Sequence, residues 1–109
     1  MLIEKLRGKT KAVFGRNNCA QSVAVLAGRE DLAESFRPYG GGRAPEGRCG
    51  ALHAALLLTD LKHHPQLVKE FTSIAGSDKC QEIKSIHQTP CHECVAQAAF
   101  LQYQYQKLD

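Results

Sequence analysis

Apolar residues recur along this chain at three- and four-residue steps, and turn residues break the pattern at short intervals. Leu2, Ile3, Leu6, Val13 and Phe14 make one helical stripe, which Gly15 can end. Asn18 followed by Gln21 has the spacing of a capping box, and Ala20, Val23, Ala24 and Ala27 face inward up to Gly28. A short helix from Glu30 to Phe36 stops at Arg37-Pro38, because a residue before proline avoids the helical region. Further on, Pro65 fits the first position of a helix with a buried stripe of Leu67, Val68, Phe71, Ile74 and Ala75, ended by Gly76. Ser77 or Asp78 can cap a short helix that holds Cys80, Ile83 and Ile86. Thr89 and Pro90 open a last helix, with Val95, Ala98, Ala99 and Leu101 inside and Gln97, Gln102, Gln104 and Gln106 mostly wet.

The centre of this pattern is the stretch from Gly40 to Leu58. A glycine-rich basic loop (Gly40, Gly41, Gly42, Arg43, Pro45, Gly47, Arg48) leads through Cys49 into Ala51, Leu52, Ala54, Ala55, Leu56, Leu57 and Leu58. A helix apolar on nearly every face belongs inside a bundle or a membrane. This one, ending around Leu61, is far shorter than the ~20 apolar residues of a membrane span. Sustained alternation of apolar and polar positions, the mark of strands, is missing. The expected fold is all-α: a small multi-helix bundle with a glycine-rich loop before a buried central helix.

Length then fixes the scale. A chain of 109 residues makes one domain, expected over residues 1–109. The absence of Trp points to a core of Leu, Val, Ile and Ala. The formal charge of +3 is modest, and Lys5, Arg7, Lys9, Lys11 and Arg16 supply much of it near the N-terminus. No aromatic residues interleave with these basic ones, so a solvated helix face is expected rather than a nucleic-acid surface. Charges throughout Met1 to Phe14 exclude a signal-peptide pattern there, and a cytoplasmic location without membrane insertion is expected. In a reducing compartment, five cysteines argue for metal binding or redox chemistry rather than a disulfide framework.

Four of those cysteines fall in the same local setting. Cys19, Cys49, Cys80 and Cys91 each sit in the first turn of a predicted helix. Free N–H groups and the helix dipole favour the thiolate there, the form that binds metal or attacks a disulfide. Four helices of a bundle can bring such positions to one point. Cys94 adds the local sequence Cys91-His92-Glu93-Cys94, a spacing used by redox pairs and metal sites. Thioredoxin-like chemistry lacks its βαβ context, and Val95 stands where covalent haem attachment needs histidine.

The stretches Asn18-Cys19-Ala20-Gln21-Ser22-Val23, Gly40-Gly41-Gly42 leading to Cys49-Gly50-Ala51, Cys80-Gln81-Glu82-Ile83, and Cys91 with Val95 resemble the C_GCAxxG_C_C family. The resemblance runs in order from about Asn17 to Ala99, with Ala54 where the family motif ends in glycine and Cys94 outside the pattern. It implies a small helical redox-active domain whose four cysteines are Cys19, Cys49, Cys80 and Cys91. A related helical domain occurs in a haem-containing cytochrome with an iron–sulfur cluster, so the resemblance makes such a cluster the leading cofactor.

Three functions follow as expectations. The first is electron transfer or redox sensing by an iron–sulfur cluster on Cys19, Cys49, Cys80 and Cys91. The second is a structural zinc site on Cys80, His87, Cys91 and Cys94, which leaves Cys19 and Cys49 without a role. The third is metal-free thiol–disulfide exchange. In the first reading Cys94 is a small core residue one turn deeper than Cys91. The glycine loop matches no phosphate-binding pattern and is expected to shield the cysteines, with Arg43 and Arg48 helping to hold them as thiolates. His53 is expected as a hydrogen-bonded core histidine or proton relay, and His63-His64 as a helix start. No Ser/His/Asp or paired-carboxylate arrangement supports hydrolysis, so a redox module is expected rather than an independent enzyme. Its partner would be a redox protein, and a site near the edge is compatible with a homodimer.

Overall fold

The computed structural model describes residues 2–108, so the two ends of the expected 1–109 domain lie outside the described residues. Seven α-helices occur among them, with no strand: α1 (Leu2–Val13), α2 (Cys19–Leu26), α3 (Ala33–Phe36), α4 (Gly50–Leu57), α5 (His64–Ala75), α6 (Cys80–Glu82) and α7 (Cys91–Leu108). The protein is all-α, as the periodicity predicts. Short 3₁₀ turns join several helices, and α6 continues as a π-helical turn over Ile83–His87.

α4 packs against both α2 and α7, and α7 also carries α1 and α5. The main core gathers Val23 and Ala24 of α2, Leu52 and Ala55 of α4, Phe71 of α5, and Val95 and Ala98 of α7. Ala20, Ala51, Ala54 and Ala55 have no exposed surface, so small side chains let these helices approach closely. A second cluster joins Leu6 of α1 to Ala96 and Ala99 of α7.

The Asn18 and Gly76 caps are as the sequence suggests, whereas the N-cap of α6 is Lys79, with no side-chain cap from Ser77 or Asp78. Asn18 Oδ1 accepts from the Gln21 amide at 2.8 Å, and Gln21 Oε1 accepts from the Asn18 amide at 3.0 Å, completing the capping box. Gly76 ends α5 in the left-handed region at φ 99°, and a Cβ there would run into the His87 ring.

Several boundaries differ from the sequence reading. α4 ends at Leu57 rather than near Leu61, and Leu57 is half exposed, so the central helix is apolar all round but not buried all round. α5 begins at His64, one residue before Pro65. Ile74 of α5 and Ile86 of the π-helical turn are exposed rather than buried. Gln102 is buried, its amide donating to Gln106 Oε1 at 3.0 Å. Among the described residues, no helix is long and apolar enough to cross a membrane.

Candidate functional site

The site is assembled from four helix starts and one loop. Cys19 is the first residue of α2, Cys49 the N-cap of α4, Cys80 the first residue of α6 and Cys91 the first of α7. Backbone ties bring these starts together. The Cys49 amide donates to Asp78 O at 2.8 Å, and Arg48 forms an isolated β-bridge with Lys79, which holds the start of α4 beside the start of α6. Asn18 Nδ2 donates to Arg37 O at 2.8 Å, fixing α2 to the turn that precedes the glycine loop. Thr89 Oγ1 donates to Ala75 O at 3.1 Å and so positions the segment that enters α7.

All five cysteines line one cavity of about 380 Å³. Phe14 and Ile83 contribute apolar walls, and exposed Arg16, Gly41 and Lys84 form part of its rim. Cys19, Cys49 and Cys94 are buried, whereas Cys80 and Cys91 are partly exposed. The Gly41 amide donates toward the Cys19 sulfur. Gly42 lies against Cys80, whose Sγ would be 3.7 Å from a Cβ placed there. The glycine loop therefore covers two of the thiols. Gly50 has a separate reason to be glycine: a Cβ would meet the carbonyl oxygen of Tyr39 and sit 2.7 Å from Cys19 Sγ.

The electrostatics reverse one expectation. Burial pushes the Cys19 thiol above its ordinary value, and the charges of Cys49 and Cys91 add to this, although the Gly41 N–H opposes it. Cys49 is raised further, first by its hydrogen bond to Cys94 and then by burial, while the Leu52 and Ala51 N–H groups pull the other way. At Cys80 burial also raises the value, and the Lys84 ammonium lowers it. Helix starts do favour thiolates here, but removal from water and crowding of like charges outweigh them. At these three positions the neutral thiol is thus favoured over the thiolate relative to an ordinary cysteine. Reciprocally, Cys91 and Cys80 hold the Lys84 ammonium above its usual range.

Among the described residues, no three His, Cys, Asp or Glu side chains are arranged to hold one metal ion. The alternative zinc set is not brought together: Cys80, Cys91 and Cys94 line the cavity, but His87 is exposed and packs over Gly76. The π-helical turn that holds His87 ends at Gln88 in the left-handed region, φ 56°. Cys94 is buried and also lines the cavity.

The basic residue at the thiols is also different from the expected ones. Arg43 is exposed and bonds Gly40 O at 3.0 Å, and neither it nor Arg48 lines the cavity. Lys84 takes that place; its position four residues after Cys80 was a usable signal, since both lie on one helical face. His53 stacks edge-on against Tyr39 with ring centres 4.6 Å apart. Its Nδ1 is buried without a hydrogen-bond partner, unlike the bonded core histidine expected, and burial together with Arg48 lowers its pKa.

Comparison with family models, with curated proteins and with solved structures finds no match to this chain.

Proposed function

We propose that the chain is a redox module whose working groups are the cysteines around the cavity between α2, α4, α6 and α7. The observation that carries this reading is the convergence of five thiols from separated sequence positions on one cavity of about 380 Å³. Structural cysteines scattered through a core have no physical reason to share a solvent-reachable space.

The cofactor that best suits this arrangement is an iron–sulfur cluster on Cys19, Cys49, Cys80 and Cys91. A single tetrahedral zinc ion needs its sulfurs about 3.8 Å apart, a consequence of zinc–sulfur bonds of about 2.3 Å. No described trio is so arranged. A cluster of several irons offers ligand positions farther apart and fills more space, in keeping with a cavity much larger than one ion. When bound, it would supply one-electron transfer. The chain's own residues have definable tasks: Phe14 and Ile83 limit water, while Lys84 and the Gly41 amide offset thiolate charge. The positive rim of Arg16 and Lys84 suits a redox partner protein with an acidic docking face.

A second reading, thiol–disulfide exchange without metal, is favoured by the gathering of free thiols around one cavity. Anaerobic reconstitution with iron and sulfide separates the two. Wild type is expected to take up both elements and show visible charge-transfer absorption, while Cys91→Ser loses most of its iron. Wild type that stays colourless and iron-free would leave the metal-free reading. Stoichiometric zinc retained through chelation would sink both.

A further inference from the structure

Charge is distributed unevenly around the thiol cavity. Arg16 and Lys84 line it, and among the described residues no Asp or Glu does. Elsewhere Arg7, Arg29 and Arg37 each pair with a carboxylate, at 2.8, 3.0 and 2.9 Å. Among the described residues no carboxylate pairs with Arg16 or Lys84. Local structure places both cations. Arg16 is at the tip of a turn in which the Gly15 amide donates to Asn17 O and the Asn17 amide to Val13 O, both at 3.1 Å. Gly15 takes φ 111° there. Lys84 follows Cys80 by four residues through α6 and the π-helical turn, so ammonium and thiol share a face.

The neutral polar side chains of the lining are already committed. Asn17 Nδ2 donates to Val13 O at 3.1 Å, Asn18 Nδ2 to Arg37 O at 2.8 Å, and Thr89 Oγ1 to Ala75 O at 3.1 Å. A molecule that enters therefore meets two cationic heads without carboxylate partners, then apolar walls and thiols. The volume of about 380 Å³ falls within the range of small-ligand sites, about 300–1,000 Å³, and is too small to admit a folded protein.

We propose that the cavity is a site for small disulfides that carry carboxylates, and that Arg16 and Lys84 are its specificity-determining residues. The inference rests on the thiol–disulfide reading of the same cavity. The carboxylates sit on the guanidinium and the ammonium, while the ligand S–S bond reaches the partly exposed thiols, Cys80 and Cys91. One of these thiols releases its proton to solvent and attacks a ligand sulfur. The ligand S–S bond breaks, one half leaves as a thiolate that takes up a proton, and the other half stays on the protein in a mixed disulfide. One protein sulfur is oxidised and one ligand sulfur is reduced, so the exchange needs no further reactant. Lys84 also lowers the Cys80 thiol against the effect of burial. That would quicken attack on every disulfide alike, so only the preference between charged and uncharged reagents reports on the carboxylate site.

The test uses reduced, chelator-treated, full-length protein and three reagents: dithiobis(nitrobenzoate), which is anionic, dithiodipyridine, which is uncharged, and cystamine, which is cationic. Each rate of thiol modification is divided by the rate for the same variant in concentrated urea, which removes intrinsic reactivity. Wild type is expected to prefer the anion over the uncharged reagent and to disfavour the cation, and salt near 1 M, with a screening length of ~3 Å, should narrow the preference. Lys84→Gln and Arg16→Gln should each lower the anion preference about two- to five-fold, the range of one exposed charge pair. Lys84→Arg should restore it, and Lys69→Gln, which removes an exposed charge away from the cavity, should leave it unchanged. Equal normalised rates for the three reagents, or a preference that Lys84→Gln and Arg16→Gln do not reduce, overturn the carboxylate site while leaving thiol–disulfide chemistry in place. Thiols that react with none of the reagents until urea is added overturn the site and the thiol reading together. The wild-type charge series and its salt dependence decide between these outcomes even where a variant folds poorly.

Discussion

Replacing Phe71 with alanine is expected to cost about 3–5 kcal/mol of stability, the usual range for deleting a buried aromatic side chain. Phe71 has no exposed surface and lies in the main core, on a helix that packs against both α4 and α7. Its neighbours Leu67 and Ala75 on α5 are equally enclosed, so the structure cannot easily collapse into the space left behind. A domain of this size has only about 5–15 kcal/mol in total, so about a fifth or more would go. Urea denaturation followed by helical circular dichroism measures it. Ile74 on the same helix is the control: it is 45% exposed, and Ile74→Ala is expected to change stability by less than about 1 kcal/mol. Equal losses in the two variants would show that the inward face of α5 is wrongly placed.

Gly50→Ala is expected to lose roughly 1–2 kcal/mol and to disturb the thiols as well. Alanine is the better helix former by about 1 kcal/mol, which alone would favour the variant. Against this, its methyl group meets the Tyr39 carbonyl oxygen and Cys19 Sγ. The first of these is backbone and cannot rotate away. Overpacking of this kind costs about 1–3 kcal/mol, at the upper end where backbone must move, and so outweighs the propensity gain. Relief comes by moving the start of α4 away from Tyr39, which carries Cys49 away from Cys19. Cys19 and Cys49 should then be alkylated faster in native protein than in wild type. A variant as stable as wild type, with unchanged alkylation of those two residues, would show that the close approach at Gly50 is not real.

Much of this protein was legible in one dimension. Apolar spacing, the Asn18–Gln21 capping box, Gly76 and the proline positions are local signals, and each acts over one or two helical turns. They determined that the chain is all-α, roughly where its helices start, and that four cysteines sit at those starts. Local signals also misplaced some faces. Ile74, Ile86 and Leu57 are apolar yet exposed, and Gln102 is polar yet buried. Burial depends on which neighbour covers a face, and periodicity carries no information about the neighbour.

The site shows the same division. The cysteine positions and the glycine loop came from sequence, but their convergence depends on long-range backbone ties such as Cys49 to Asp78 and Asn18 to Arg37. Lys84 replaces Arg43 and Arg48 at the thiols because α6 and its π-helical turn bring it to the rim, while Arg43 folds back on Gly40. His87 is exposed and packs over Gly76 rather than lining the cavity with Cys91. The thiols' protonation could not be read from helix starts, since desolvation and like charge are properties of the assembled cavity. Sequence by itself determined the helices and the chemical groups they carry. Only the tertiary structure decided that Cys94 shares a cavity with Cys49, because residues far apart in the chain come to one space only when α4 packs on α7.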